Sequence, residues 1–346
     1  MPRQFASAPL LATVMAAMLP ACTPCATGEL GYAVNSHYDN PVVLQRADPW
    51  MVKDSDTGCY YFIATVPEFD RIEMRQACRI DELKLATPVV VWNKKTSGAL
   101  SANIWAPELH RINGSWYIYF AASDVDAPFK IRMYALSNTS ADPLQGTWQE
   151  EGEIKSGWDG FALDATSFEF QGKRYLLWAQ QNPERTYNSA LWLAEMASPT
   201  RIKSPIIKLS EPTLEWETLG YKVNEGPAVL QKDGRLFVFY SASATDDRYA
   251  MGLLSLNIED DILIAENWQK QPQPIFTTNA DVNRYGPGHN SFVMNEDNSQ
   301  LLMVYHSRDY RQLKGNPLTD PNRHTRVRAV QWAEDGWPQL HPELGD

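Results

Sequence analysis

A short aromatic and aliphatic segment recurs five times along the chain, at intervals of about 60 residues. Each copy follows a polar turn, such as Asn113-Gly114 or Asp233-Gly234, and another apolar segment precedes each turn. Two apolar segments joined by such a turn are the signature of a β-hairpin. A small twisted sheet cannot bury both of its faces alone, so the repeated units must pack against one another. The five segments begin at Cys59, Trp116, Tyr175, Leu236 and Leu301.

This repeat predicts an all-β fold, a five-bladed β-propeller with one blade for each hairpin unit. A two-sheet β-sandwich is the alternative, but a sandwich does not need one hairpin pattern along the whole chain. Aromatic residues make up 11% of the 346 residues and charged residues 21%, which favours a packed β protein over disorder. We expect residues 29–346 to form this single domain, without a linker or second domain.

The first 28 residues have the features of an export signal. Arg3 supplies a positive start, and residues 10–19 form an apolar stretch too short to span a bilayer permanently. We therefore predict an exported protein that is periplasmic, secreted or held at the cell surface. Leu19-Pro20-Ala21-Cys22 resembles a bacterial lipoprotein processing site, which makes Cys22 a candidate for acylation; ordinary signal cleavage is the alternative. Membrane contact is expected only through such a lipid anchor.

Two cysteines, Cys59 and Cys78, lie beyond the export segment. An even pair in an exported protein suggests a disulfide. A hairpin that turns near Glu68-Phe69 would also place residue 59 opposite residue 78, which suits a bridge. We predict a disulfide between them, and the alternative is two unpaired, buried thiols.

The charge balance is acidic, with 31 basic and 42 acidic residues and a formal net charge of −11. No run of Lys or Arg forms a basic patch, so nucleic acid is not an expected partner. An acidic surface by itself indicates little beyond solubility. A neutral substrate such as a sugar fits this composition.

Charged residues stand at the start of the first strand in several repeats. The innermost strands of a propeller surround its axis, so residues at their starts converge on one end of the central channel. Taken singly, such carboxylates are more often turn or capping residues. Three together suit acetal hydrolysis, in which one carboxyl protonates the leaving oxygen and another activates water. The three carboxylates are Asp48, Asp164 and Glu225.

Five ordered motifs at these positions resemble glycoside hydrolase family 43, and the likeness runs from about residue 37 to the C-terminus. Residues 66–71, 241–246 and 320–323 further resemble the exo-acting 1,5-α-L-arabinofuranosidases of that family. The five motifs are Ala47-Asp48-Pro49, Ile104-Trp105-Ala106-Pro107-Glu108, Leu163-Asp164-Ala165-Thr166, Val223-Asn224-Glu225-Gly226-Pro227 and Tyr285-Gly286-Pro287-Gly288-His289-Asn290-Ser291.

The resemblance implies an inverting exo-α-L-arabinofuranosidase that releases arabinose from α-1,5-linked arabinan or arabino-oligosaccharides. It assigns Asp48 as the general base, Glu225 as the general acid and Asp164 as the group that orients the acid and tunes its pKa. The alternatives within the family are a β-xylosidase, an arabinoxylan-debranching enzyme and an endo-arabinanase. The non-enzymatic alternative is a sugar-binding propeller, which is expected to lack at least one of the carboxylates.

Three further residues are candidates for the substrate pocket. Trp105 precedes an inner strand, where its ring packs on a sugar or, alternatively, wedges between blades. Arg308 follows the apolar run at 301–305 and either bridges sugar hydroxyls or forms a surface ion pair. The resemblance places His289 near the propeller axis, beside a water cluster or a structural ion such as Ca²⁺, and a hydrogen-bonding role is favoured over direct ligation. No cofactor is expected to be required, and we expect a monomer.

Overall fold

The computed structural model describes residues 1–2 and 38–340. Residues Asn35–Asp346 form one compact unit, and the fold below is that of its described part. The predicted export segment, apart from Met1 and Pro2, lies outside the described residues, and so does Cys22. Residues 38–340 form strands and short 3₁₀ turns, and no helix among them has the length and apolar character needed to cross a bilayer.

Five antiparallel sheets follow one another along the chain. Blade 1 contains β1 (Ala47–Lys53), β2 (Tyr60–Thr65), β3 (Arg71–Ala77) and β4 (Val89–Asn93). Blade 2 contains β5 (Ala102–Ile112), β6 (Ser115–Asp124), β7 (Ala127–Asn138) and β8 (Gln149–Glu153). Blade 3 contains β9 (Ala162–Phe170), β10 (Lys173–Gln180), β11 (Ala190–Ser198) and β12 (Arg201–Ser210).

The last two blades differ in their outer strands. Blade 4 contains β13 (Asn224–Lys232), β14 (Arg235–Ala242), β15 (Ala250–Asn257) and the short β16 (Gln269–Lys270). Blade 5 contains β17 (Tyr285–Met294), β18 (Leu301–Arg308) and β19 (His324–Ala329), and β20 (Gln331–Trp332) and β21 (Pro338–Gln339) form a separate hairpin. The 3₁₀ turns are Ile80–Glu82, Glu215–Glu217, Ala265–Asn267 and Ala280–Val282.

The sheets form a closed ring around the five inner strands. Each of β1, β5, β9, β13 and β17 packs against the inner strand of the next blade, and β17 returns to β1. The start of the fold also joins the last blade, because Val43 bridges Thr325 on β19. Two backbone hydrogen bonds of 2.9 Å, from Val42 N to Thr325 O and from Thr325 N to Val43 O, hold this junction. The predicted five-bladed β-propeller is confirmed, and the sandwich alternative is excluded.

Side-chain alternation along the strands explains why the ring must close. In β2, Tyr60 and Phe62 enter the core shared with blade 5, whereas Tyr61 and Ile63 enter the core shared with blade 2. Five apolar clusters result, one in each gap between neighbouring blades. Successive strand residues point to opposite faces, so a continuous apolar run indicates a strand buried on both faces. The aromatic runs in the repeat are therefore inter-blade packing.

A disulfide joins Cys59 and Cys78 across the β2–β3 hairpin. Tyr60 and Ala77 are paired residues in that hairpin, so the adjacent cysteines face each other just beyond the ladder. The hairpin turns close to residues 68–69, where Phe69 N donates to Val66 O at 3.1 Å. The disulfide therefore joins β2 and β3, the two central strands of the first blade, at the end of the hairpin opposite its turn.

Replacing both cysteines by alanine should lower the free energy of unfolding by about 2–4 kcal/mol, because the bridge restricts a loop of the unfolded chain. The measurement is urea unfolding of the mature protein, followed by tryptophan fluorescence. The unsubstituted protein kept in reductant serves as the matched control and should show the same loss. Equal unfolding midpoints for the oxidised protein and the double variant would contradict this expectation.

Candidate active site

A cavity of about 750 Å³ opens at one end of the propeller axis. Its wall includes all three predicted carboxylates, contributed by the inner strands of blades 1, 3 and 4. Trp105 from blade 2 and His289 from blade 5 complete the ring of inner-strand residues. Loop side chains surround this floor, among them Arg185, Tyr221, Leu318 and Arg323, and Phe129 joins them from β7.

A bulge near the start of every inner strand aims these residues at the axis. The ladder register shifts at this point in each blade, and a residue in the left-handed backbone region occupies the bulge. Bulges of this kind re-aim side chains and release backbone N–H groups from the ladder. The bulge residues and their φ angles are Asp48 (53°), Ala106 (43°), Asp164 (54°), Gly226 (55°) and His289 (45°).

Glu225 differs from the other two carboxylates because it lies one residue before its bulge. The bulge position itself is Gly226, and a Cβ built there would lie 2.9 Å from Cγ of His289. Glycine also tolerates the left-handed conformation without strain. The longer Glu225 side chain therefore enters the cavity from the neighbouring position, so the three carboxylates are not strictly equivalent in the repeat.

Asp48 is buried among donors and positively charged groups. Oδ2 accepts a 2.6 Å hydrogen bond from Thr65 Oγ1, and Oδ1 accepts a 3.3 Å hydrogen bond from Arg323 Nη1. Nδ1 of His289 lies 3.3 Å from the same Oδ1. Burial alone would raise the pKa of Asp48, but Arg323, His289, His306 and the Thr65 hydroxyl together hold it well below the usual range. Asp48 is therefore ionised at neutral pH.

The pKa values of Asp164 and Glu225 are raised, in contrast to that of Asp48. Burial raises the pKa of Glu225 to about 7, assisted by the negative charge of Asp48, although the Tyr249 hydroxyl donates to Oε1 at 2.9 Å and Arg323 opposes the rise. Burial and the charges of Glu225 and Asp48 raise the pKa of Asp164 well above its usual value. Gly226 N, beside Glu225, donates to Asp164 Oδ2 at 2.9 Å. Two such carboxyls titrate as a pair and retain a proton at neutral pH.

The chain matches a family model over residues 38–338, that of the glycosyl hydrolases family 43. The chain belongs to that family.

Relatives of this family-43 chain share much of its sequence. Alpha-L-arabinofuranosidase 43 of Humicola insolens is 49% identical over 94% of the chain and 66% of its own length. An extracellular exo-alpha-(1->5)-L-arabinofuranosidase of Streptomyces avermitilis is 48% identical over 89% of the chain and 64% of its own length. The chain thus spans slightly less than two thirds of both relatives.

A solved structure also resembles the family-43 chain. The alpha-L-arabinofuranosidase from Lactobacillus brevis superposes with a TM-score of 0.85 and is 46% identical to the family-43 chain. The alignment covers 88% of the chain and 96% of the solved protein. The propeller alone therefore accounts for nearly the whole length of that protein.

Of the other residues predicted for the pocket, Trp105 and His289 line the cavity. The Trp105 ring meets Phe69 edge-on at 5.7 Å between centroids and also packs on the core between blades 3 and 4. Its Nε1 is buried without a hydrogen-bond partner among the described residues. A buried donor left without a partner carries the desolvation cost of its lost hydrogen bond to water.

Arg308 was predicted to lie in the substrate pocket, but it does not line the cavity. Its guanidinium is 1% exposed and donates to Asp320 Oδ1 at 3.1 Å, to Thr245 O at 2.6 Å and to Pro317 O at 2.8 Å. These bonds hold the loop between β18 and β19, which carries Leu318 and Arg323 to the cavity. The predicted alternative, a surface ion pair, is also excluded by this burial.

Four contributors to the site were missed by the sequence reasoning. Arg323, Thr65 and His306 contact Asp48, and Tyr249 contacts Glu225. Arg323 ends the segment 320–323, which carries part of the family resemblance. The segment was therefore noticed in the sequence, but no function was assigned to Arg323. Thr65 and Tyr249 belong to ordinary strand and loop sequences, where only tertiary packing brings them to the carboxylates.

The described side chains around His289 do not form a calcium-binding site. Ca²⁺ takes six to eight oxygen ligands, yet the described residues contain no group of three or more His, Cys, Asp or Glu placed to hold a metal ion. His289 Nδ1 faces Asp48, and burial lowers the pKa of this imidazole. These residues do not fit a calcium site built from side chains, and the axial ion stays a prediction.

Replacing Tyr249 by phenylalanine should raise the pKa of Glu225 above about 7, because the Tyr249 hydroxyl favours the ionised carboxylate. Carbon-13 NMR of protein labelled at glutamate carboxyls measures this titration, and loss of the signal in Glu225→Gln identifies the resonance. Tyr60→Phe is the matched control, since its hydroxyl donates to Met294 O, away from the carboxylates. A Glu225 midpoint near 4 to 5 in the unsubstituted protein would show that the site does not retain the proton.

Proposed function

We propose that the chain is an exported, exo-acting α-L-arabinofuranosidase that releases arabinose from α-1,5-linked arabinan or arabino-oligosaccharides with inversion. The observation that carries the proposal is that two carboxyls in one cavity have contrasting partners. A hydroxyl, a guanidinium and an imidazole surround Asp48, whereas Glu225 accepts a hydrogen bond from the Tyr249 hydroxyl. Asp48 is held ionised, while burial keeps a proton on the Asp164–Glu225 pair. Carboxyl groups with opposite protonation states are what acid–base hydrolysis of an acetal requires.

In the proposed reaction, Asp48 acts as the general base. Thr65, Arg323 and His289 fix its carboxylate, and a water molecule beside it would be deprotonated as it attacks the anomeric carbon. Glu225 acts as the general acid and donates its proton to the leaving glycosidic oxygen. Asp164 keeps the proton on the pair and orients the acid, since its carboxylate is hydrogen-bonded to Gly226 N next to Glu225. This chemistry requires no cofactor.

The relatives support arabinofuranose as the sugar and export as the destination. Both curated relatives and the solved protein described above are named arabinofuranosidases, and the name of the Streptomyces relative includes extracellular and exo-alpha-(1->5). The predicted export segment agrees with that name. Acylation of Cys22 remains a prediction.

The cavity walls support exo action. Lys130 from blade 2, Arg185 from blade 3, Tyr221 from blade 4 and Leu318 from blade 5 stand around the carboxylates on different sides. Side chains from four blades thus surround the carboxylates, as the proposed capture of a terminal sugar requires.

Hydrolysis of linear 1,5-arabinan tests substrate, mode of action and stereochemistry together. We expect arabinose as the first product, released as the β-anomer because water attacks the face opposite the leaving oxygen. Proton NMR during the first minutes detects the anomer before mutarotation. Early arabinobiose and arabinotriose would indicate endo action, an initial α-anomer would indicate a covalent intermediate, and turnover of xylosides alone would favour the β-xylosidase alternative.

Asp48→Ala and Glu225→Ala should reduce kcat on arabino-oligosaccharides about a hundred- to ten-thousandfold while the proteins stay folded. Glu225→Ala should retain relatively more activity on an aryl arabinofuranoside, because a good leaving group needs little protonation. Glu195→Ala, which removes a carboxylate paired with Lys203 on outer strands of blade 3, serves as the control. Near-normal oligosaccharide hydrolysis by either active-site variant would remove that residue from the mechanism.

A further inference from the structure

Glu217 is a buried carboxylate that lies outside the cavity and has no part in the proposed chemistry. It ends the 3₁₀ turn between blades 3 and 4, and none of its surface is exposed. Oε2 accepts hydrogen bonds from Thr213 N at 2.9 Å and Leu214 N at 2.8 Å. Lys270 Nζ lies 2.6 Å from Oε1 and 2.8 Å from Oε2. A charge buried at this depth requires such complete pairing.

The remaining contacts of Glu217 lead to the strand that carries the proposed acid. Oε1 also accepts from Tyr240 Oη at 2.8 Å and from Asn224 Nδ2 at 3.0 Å. Asn224 is fully buried and immediately precedes Glu225. The carboxylate of Glu217 is thus hydrogen-bonded to the side chain of Asn224, the residue next to the proposed acid.

Asn224 is held on every side. Its Oδ1 accepts from Ser210 Oγ at 2.7 Å, its backbone N donates to Ser189 O at 3.0 Å, and its carbonyl accepts from Ser189 Oγ at 3.1 Å. Glu225 needs this support because the β13–β14 register is interrupted between Glu225 and Ala228. Regular ladder pairing therefore does not continue on the C-terminal side of the acid.

We propose that Glu217 is a positioning residue for Glu225, acting through Asn224; this inference rests on the proposed function. The acid is held between two anchors. Asn224 connects it to the Glu217–Lys270 pair on one side, and Gly226 N connects it to Asp164 on the other. A hydrogen-bonded support of this kind keeps a catalytic group within the narrow range of positions that proton transfer tolerates.

Loss of this support should impair protonation of the leaving group more than substrate binding. Glutamine at 217 replaces one carboxylate oxygen by an amide N–H₂, which would face the donors that now converge there. The start of β13 then relaxes, and the acid no longer lies at its optimum distance from the glycosidic oxygen. Hydrolysis that depends on protonation of a poor leaving group should suffer more than hydrolysis of an activated aryl glycoside.

The experiment compares kcat on an arabino-oligosaccharide with kcat on a 4-nitrophenyl arabinofuranoside for Glu217→Gln, Asn224→Ala and the double variant. Each single variant should raise the ratio of aryl to oligosaccharide turnover about tenfold, a part of the contribution of an acid. The double variant should be no worse than the more affected single variant, because both changes break one connection. Tyr240→Phe is the matched control: it removes another hydrogen bond to Oε1 without touching Asn224, and it should leave the ratio unchanged.

Equal loss on both substrates in Glu217→Gln, or additive effects in the double variant, would overturn the positioning role. Should Glu217→Gln not fold, Asn224→Ala decides, since it leaves the ion pair with Lys270 intact. An unchanged ratio in folded Asn224→Ala overturns the proposal. An unsubstituted protein that hydrolyses neither substrate would instead overturn the proposed function, so the two failures are distinguishable.

Discussion

Burial of both faces of every blade is the constraint on which the structure depends. A strand such as β2 sends alternate side chains into two different inter-blade cores, so no blade can be stable by itself. The requirement is met only when the fifth blade meets the first, and the bridge between Val43 and Thr325 completes this junction. Closure also brings five inner strands to a common axis, and the site exists because they meet there.

The inner strands combine two tasks that conflict. Their outer parts pack as regular ladders, whereas their starts must point polar side chains into a cavity. A bulge in each strand separates the two tasks, and backbone groups released from the ladder bond to side chains instead. Ala106 N donates to Thr65 Oγ1, which in turn donates to Asp48, and Gly226 N donates to Asp164. The backbone thus becomes part of the electrostatics of the site.

Those electrostatics differ between neighbouring carboxyls because their partners differ. Asp48 is surrounded by Arg323, two imidazoles and a hydroxyl, which overcome the cost of burying its charge. Among the residues that the structure describes, one side-chain hydroxyl, that of Tyr249, donates to Glu225, so burial dominates and the pKa of Glu225 rises. The difference in pKa between the proposed base and the proposed acid therefore arises from the residues that surround the two carboxyls. These residues come from β2, β17, β18, the loop before β15 and the β18–β19 loop. The hydrogen bond between Glu217 and Asn224, with its inferred positioning role, adds a further support for Glu225 outside the cavity.

The amino-acid sequence was sufficient for the number of blades and the β-hairpin in each, because these are properties of a repeat and need no knowledge of distances. It also indicated three carboxylates near the starts of inner strands, although their positions in the repeat are not strictly equivalent. The Cys59 and Cys78 pairing was also predictable, since a hairpin relates its residues by local register. Tertiary structure alone decided which arginine meets Asp48: Arg308 and Arg323 flank one loop, and only its fold sends the first into the protein and the second into the cavity. It likewise decided that Glu225 enters beside its bulge rather than from it, and that Glu217 reaches Asn224. These relations join residues far apart in the chain or depend on a one-residue backbone irregularity, and side-chain periodicity carries no information about either.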